Sequence, residues 1–482
     1  MLLLLSCAEP GPATLSRELE GSLDSGFVET RLADTGEPRD WLAEAEAPFV
    51  KSPDSAEGLV NTSADLDELL EGLDGACEAW RADRSDREKE LRCGKSMFFY
   101  ETFGTAGVPT ALTDFMLHGF PDQVGPGFSE LGLIQDPTSA KGYPLGLSDQ
   151  GNGVAFTCAS CHFGQLPDGR YSVGAPNHSY EYGRHNLVLA VTLLSAMSGL
   201  TGAEIHPDAQ AVVQPLLDEL AGDIGLQWQL VGVLISLLGQ EVPSFSVENQ
   251  GFYANWKSGT MDFLIEPLPV DDGVHTVSKI SALWDIPTDE EATSAGMRDA
   301  MLGHTGNTGS TMEFVALFGV VGGEGEPWSE AELAPLVHYL ESLEAPEPRE
   351  APAEEGARVF VEAGCLECHS GPAGSGLGLY EFEEIGTDDA IAAWMDPDLD
   401  GAACCGFEDE VPITNAVKSP RLVGLWAMDR FLHNGSVDSL EQLLCLEPRP
   451  ERRSPESSSG HRYGCELSEV DRRALVEFLE AH

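Results

Sequence analysis

Positive charge is scarce in this chain: 27 Lys and Arg stand against 81 Asp and Glu in 482 residues, a formal charge of −54. Nucleic acid and anionic membrane surfaces are themselves negative, so this balance argues against both as partners. It suits solubility, adaptation to salt, and docking to a basic protein. Long apolar runs are missing too. No stretch reaches 18 consecutive apolar residues, so no spanning helix is expected, and Leu187–Leu200 and Leu230–Leu238 read as buried helices. The amino end lacks the positive n-region and most of the apolar h-region of an export signal. What stands there, Met1-Leu-Leu-Leu-Leu-Ser-Cys7, matches the end of a bacterial lipoprotein signal. A lipid at Cys7 is therefore the expected membrane attachment, and the periplasm or the cell surface, with an outer-membrane anchor, the expected location.

Cysteine and histidine are also few, 11 and 12, which makes their arrangement informative. Cys158-Ala-Ser-Cys161-His162 and Cys365-Leu-Glu-Cys368-His369 are two C-x-x-C-H runs, the attachment pattern of a c-type haem. Two thiols one helical turn apart can each form a thioether to a vinyl group of one porphyrin. The adjacent imidazole then lies under the iron as proximal ligand. The competing readings are a redox C-x-x-C or half of a zinc ribbon; the ribbon wants its pairs about 15–20 residues apart, and these lie far beyond that. Two covalently bound haem c groups are the expected cofactors, on His162 and His369.

Seven cysteines remain. With Cys7 set aside for lipid, Cys77, Cys93, Cys404, Cys405, Cys445 and Cys465 make an even set, as disulfides in an oxidising compartment require. Proximity favours Cys77–Cys93 and Cys445–Cys465. Cys404 and Cys405 could pair only through a strained ring of neighbours.

Along the chain, residues 1–60 read as the leader and a disordered acidic tether. Helical periodicity begins at Ala64–Leu73 and runs through Trp80–Leu91 to an end near Cys93-Gly94. Residues 94–157 and 240–327 are punctuated by Gly and Pro and read as long connections, with a buried helical block from Asn186 to Gly239 between them. Ser329–Glu341 aligns with Ser468–Glu480. Both open on a Ser N-cap with acidic residues in the first turn and carry Leu-Val-x-aromatic-Leu on one face. Each reads as a helix closing a haem domain, and the pair as a duplication. From motif to closing helix the first copy spans 171 residues (158 to 329) and the second 103 (365 to 468), so the first carries an insertion of 68. The expected fold is mainly α: two cytochrome c-like haem domains with long loops, 61–345 with the helical insertion and 346–482 compact.

Gly142-Tyr-Pro-Leu-Gly146, Phe156–Gln165 around the first motif, and Gly174-Ala-Pro-Asn177 resemble the first haem site of di-haem cytochromes of the rubber-oxygenase type, which are similar to the bacterial di-haem cytochrome c peroxidases. Lys418-Ser-Pro-Arg-Leu-Val-Gly-Leu-Trp426, Phe431-Leu-His-Asn-Gly-Ser436 and Leu440–Leu444 carry the likeness through the second half, with Ile385–Asp388 and Ala282–Asp285. It covers roughly 95–482. It implies an exported oxidoreductase in which electrons enter at the His369 haem and reduce peroxide or dioxygen at a more open His162 haem. His433 is then the sixth ligand of the second iron, with Met428 as its competitor. Trp284 takes the place of an aromatic between the haems. For the first haem His178, His185 and His304 are the imidazoles in the right span, and Arg184 is a partner for a propionate. The implied donor is a redox protein, a basic cytochrome or cupredoxin. Asp396, Asp398 and Asp400 of Asp396-Pro-Asp-Leu-Asp-Gly401 resemble the start of a calcium loop, though Phe407 stands where the bidentate Glu belongs. Two alternatives accompany this reading: an electron-transfer cytochrome with both irons six-coordinate, and a tethered haem module of a larger complex.

Overall fold

Two helix crossings, built alike, frame the chain. Helices α1 (Arg87–Tyr100) and α2 (Glu330–Glu341) form one; α3 (Glu354–Glu362) and α4 (Glu469–Leu479) form the other. In α1 the Asp86 carboxylate caps the Lys89 N–H at 3.2 Å. Ser329 and Ser468 open α2 and α4: Glu332 accepts from the Ser329 N–H at 2.9 Å, and Ser468 Oγ accepts from the Asp471 N–H at 3.1 Å. The crossings meet at glycine. A Cβ on Gly94 would stand 2.0 Å from the Pro335 oxygen and 2.6 Å from Tyr339 Cβ, and one on Gly356 2.2 Å from the Ala474 oxygen and 2.4 Å from Phe478 Cβ. Pro335 and Tyr339 align with Ala474 and Phe478, and each glycine precedes by four residues a buried Phe, Phe98 or Phe360. The same contact is thus made twice, as a duplication would leave it. Gly356→Ala is expected to lower stability by about 1–3 kcal/mol through overpacking. Urea unfolding measures it, and a loss below about 0.5 kcal/mol would show that the crossing does not depend on the missing side chain.

The computed structural model describes residues 40–47, 55–103, 107–149, 153–191, 204–236, 246–262, 276–294, 302–306, 309–321, 328–348, 351–375, 378–393 and 416–482. The fold is mainly α. Its strands are short antiparallel ribbons: Ser63–Ala64 and Phe163–Gln165 flank Tyr171–Val173, Leu147–Asp149 pairs with Val154–Phe156, Thr260–Asp262 with Val277–Lys279, and Leu379–Glu381 with Ala416–Lys418. Trp41–His482 pack as one unit around three apolar cores. The first surrounds α1 and α2, the second the helices of the insertion, the third α3 and α4. No helix among the described residues is long and apolar enough to cross a membrane.

Several elements depart from expectation. The pattern over Trp80–Leu91 is two helices: Ala76–Ala82 ends before Asp83, and α1 continues to Tyr100 rather than stopping at Cys93-Gly94. Gly94 there serves close approach rather than termination. The Cys77–Cys93 disulfide ties these two helices together, and Cys445–Cys465 closes a loop before α4; loops of this size make each bridge worth about 3 kcal/mol. Thr110–Gly119, Val247–Ala254 and Thr311–Val321 are helices within stretches read as loops. Inside the tether, Trp41–Glu46 is a helix with Ala45 wholly buried in the third core, and the Ala56 N–H bonds Ser342 O at 2.8 Å. Within the insertion, Ile224–Ser236 buries Leu226, Leu230 and Val233 but leaves Trp228 71% and Ile224 68% exposed, so it is not buried all round.

Candidate functional site

The first C-x-x-C-H run is a single turn, Cys158–His162, held from three sides. Thr157 donates through Oγ1 to the last turn of α1, Phe99 O, at 2.9 Å, and Phe163 packs edge-on against Phe99 at 4.9 Å. Gly146, at φ +96°, lies where any Cβ would strike the Ser160 nitrogen at 2.2 Å. Asn177 donates its backbone N–H to Cys161 O at 2.7 Å and its amide to Ser160 O at 3.2 Å, while the Gly174 N–H bonds His162 O at 2.8 Å. The second run begins with a 3-10 turn, Cys365–Glu367, entered through Gly364 at φ +78° and closed by the His369 N–H on Cys365 O at 3.0 Å.

The chemistry at the two runs is the same. His162 Nδ1 lies 2.8 Å from Ser281 O, and His369 Nδ1 2.8 Å from Gly374 O. Donation from Nδ1 to a carbonyl fixes the tautomer and leaves Nε2 with its lone pair, the arrangement a metal-binding imidazole takes. Burial pushes the His162 pKa down to about 4 and lowers that of His369, so both rings are neutral. All four thiols are free, whereas Cys77, Cys93, Cys445 and Cys465 are bridged. Burial raises Cys158 and Cys365 to about 12 and Cys161 to about 11, and raises Cys368 as well. Among the described residues no group of three or more His, Cys, Asp or Glu side chains converges as a metal cage would require. Free paired thiols beside a neutral imidazole with a committed Nδ1 fit a thioether-linked haem at each run.

One segment ties the runs together. Residues 279–285 give Ser281 O to His162, take Ala282 O to Arg421 Nη2 at 2.6 Å, and bond the Lys279 N–H to His433 O at 2.8 Å. Trp284 on this segment has no exposed surface and donates Nε1–H to Val173 O at 2.8 Å. Its indole lies against two glycines, where added Cβ atoms would meet it at 2.9 Å (Gly174) and 2.4 Å (Gly424). Gly174 is bonded to the His162 carbonyl, and Gly424 lies four residues after Pro420, a backbone partner of the His369 ring. The indole therefore touches backbone leading to both runs.

The remaining candidates separate. His178 pairs through Nδ1 with Asp429 at 2.7 Å, and its Nε2 is buried without a partner. His185 is enclosed by Phe128, Phe156 and Tyr180 and hydrogen-bonded to the Tyr180 hydroxyl at 2.9 Å. His304 lies 3.1 Å through Nε2 from Lys279 O. Arg184 bonds Glu130 O at 3.1 Å. Met428 is partly buried between the first and third cores. His433 has Phe382 edge-on at 6.0 Å and Thr387 Oγ1 at 3.5 Å; burial, then repulsion from His304 and Lys279, takes it to about 3. Asp396, Asp398 and Asp400 lie outside the described residues, as do Cys7, Cys404 and Cys405.

His461 was not legible. It sits at φ +44° in the loop that Cys445–Cys465 closes, with Nδ1 buried and unpartnered. Burial, then repulsion from His369, takes it to about 4. Arg449 locks the loop. Its five N–H groups reach five carbonyls: Nε on Gln442 at 3.1 Å, Nη1 on Ser458 at 3.1 Å and Gly460 at 2.6 Å, Nη2 on Leu443 at 2.6 Å and His461 at 2.8 Å. The disulfide bracketing a histidine was the signal available in the sequence.

No family model matches the chain. No curated protein matches it either. Among solved structures, hydrazine synthase from Kuenenia stuttgartiensis, pressurised with xenon, is similar at 18% identity and a TM-score of 0.29, over 48% of this chain and 79% of that one. A score of that size lies below what a shared fold gives.

Proposed function

We propose that this chain is an exported c-type oxidoreductase with two covalently held haems, the His369 site closed by the protein and serving electron entry, the His162 site meeting peroxide or dioxygen. The observation that carries this is the pairing, twice over, of free C-x-x-C thiols with a histidine whose Nδ1 is committed to a backbone carbonyl. Haem c bound at these runs would supply one-electron chemistry and, at an iron with an open face, reduction of the oxidant. The chain's own residues do the rest. Ser281 and Gly374 carbonyls hold the imidazoles in register and strengthen them as donors. The packed shell keeps both imidazoles neutral, and Trp284 packs against backbone that leads to each site. Two imidazoles are candidates for a protein ligand at the second site: His433, and His461, whose Nδ1 is buried without a partner in the loop that Arg449 and the Cys445–Cys465 disulfide hold. The acidic surface suits a basic redox partner, and Cys7 a lipid anchor.

The test is ligand access. The oxidised protein should show one high-spin and one low-spin haem, and the reduced protein should bind one carbon monoxide per chain. Absence of both the high-spin signal and carbon monoxide binding would mean that both sites are closed, leaving electron transfer without catalysis. Peroxide-dependent oxidation of a reduced cytochrome, set against oxygen-dependent cleavage of a polyisoprenoid, separates the two reactions.

A further inference from the structure

In a chain so poor in positive charge, three cations are gathered between the two runs with one carboxylate, Asp285, acting on Arg421 and none on either lysine. Lys418, 8% exposed, bonds His304 O through its backbone N–H at 2.9 Å; His304 lies on Lys279 O; the Lys279 N–H bonds His433 O at 2.8 Å. Arg421, three residues beyond Lys418, reaches Ala282 O, two residues before Trp284, and its Nε is buried without a partner. Among the described residues no Asp or Glu makes an ion pair with Lys279, Lys418 or Arg421, whereas surface cations such as Arg87, Lys89, Arg92, Lys141, Arg358 and Arg473 each have one. Arg421 opposes both lysines. Burial and then the Arg421 charge push Lys279 to about 8 and Lys418 to about 7, and burial, partly offset by the Asp285 carboxylate, takes Arg421 to about 10. Removing a cation from water costs several kcal/mol when nothing negative replaces the lost solvent. One buried lysine with two half-buried cations beside it, and a single carboxylate among them, leaves positive charge in excess here, a place suited to an anion.

We propose that Lys279, Lys418 and Arg421 form a carboxylate-binding cluster that receives haem propionates at the junction of the two sites. The proposal rests on the haem reading and deepens it. Each porphyrin carries two propionates, which are the negative charges this place lacks, and the thioethers at the C-x-x-C thiols would bring them into the same interior. A cation beside the porphyrin favours the reduced, more negative state, so the cluster would raise the midpoint potential of the haem it clamps.

The experiment is a spectroelectrochemical titration of the full chain carrying Lys418→Met or Lys279→Met, with covalent haem counted by the pyridine haemochromogen spectrum. Two haems should remain, since the cysteines are untouched. One midpoint should fall by about tenfold in the reduction equilibrium, about 59 mV for one electron. Lys418→Arg should keep the wild-type potential, and Lys89→Met, an exposed lysine paired with Asp83, should leave both midpoints unmoved. Unchanged midpoints in both cluster variants would overturn the proposal while leaving the haem reading intact. A wild-type chain without covalent haem would remove both. If the methionine variants do not fold, equal midpoints in Lys418→Gln and wild type would overturn it instead.

Discussion

Replacing Cys158 and Cys161 together with Ala is expected to halve the covalently bound haem, from two per chain to one, and the Cys365/Cys368 pair should give the same twofold fall. The argument is chemical segregation. Eight cysteines lie in described positions; four are spent in two disulfides, and the four left free are the two C-x-x-C pairs. The two thiols of each pair, with two residues between them, are not bridged, and burial holds them as thiols rather than thiolates, which suits capture by a vinyl group better than redox exchange. The two changes should differ in their second effect. Cys161 belongs to the insertion's core with Tyr180 and Tyr182, whereas Cys365 packs only partly against the third core. Loss of the first haem should therefore destabilise the chain more. Acid–acetone extraction followed by the haemochromogen spectrum reads the count, and mass spectrometry of the haem-bearing peptides locates it. Unchanged haem in the Cys158/Cys161 variant would refute attachment at the first run.

What was legible in the sequence was the part governed by local rules. C-x-x-C-H spacing, Ser-capped closing helices and near-neighbour cysteine pairs are short-range patterns, and the motifs, α2, α4 and both disulfides follow from them. Gly94 was misread because glycine in a helix signals either an end or a close crossing, and Pro335 and Tyr339, which decide between them, lie more than 240 residues away. The helices Thr110–Gly119 and Thr311–Val321 were hidden by flanking Gly and Pro, whose local cost tertiary burial outweighs. The cationic cluster was invisible for a related reason. Lys279, Lys418 and Arg421 each look like a solvated side chain until the fold brings 279, 304, 418 and 433 onto one chain of hydrogen bonds. Family likeness points to His433 because its Phe-Leu-His-Asn-Gly setting is local; His461 comes into view as a second candidate only once the Cys445–Cys465 disulfide and the Arg449 side chain fold its loop.

The second large effect is expected at that histidine. His461→Gly should convert the second haem from low-spin to high-spin, losing the bulk of the low-spin signal, and added imidazole should restore it by entering the space the ring leaves. His433→Ala and Met428→Ala should leave the spectrum low-spin. His461 adopts a positive φ, a conformation costing about 1–3 kcal/mol for a residue with a side chain, and that cost is carried by the surrounding fastenings. The His461 N–H is held by Ile385 O at 3.0 Å, its carbonyl by Arg449, and its loop by Cys445–Cys465. Arg449→Met deletes five hydrogen bonds at once and should free the loop without touching the ring. It should therefore give a mixture of spin states and a faster exchange with external imidazole, while Arg449→Lys, with three donors on a point charge instead of five in a planar fork, should rescue little. Arg449 is thus a positioning residue, and spin state is a readout that loss of stability alone would not move at temperatures where the chain stays folded. A His461→Gly protein that keeps its low-spin haem, while His433→Ala loses it, would transfer the sixth position to His433 and leave Arg449 a purely structural clasp.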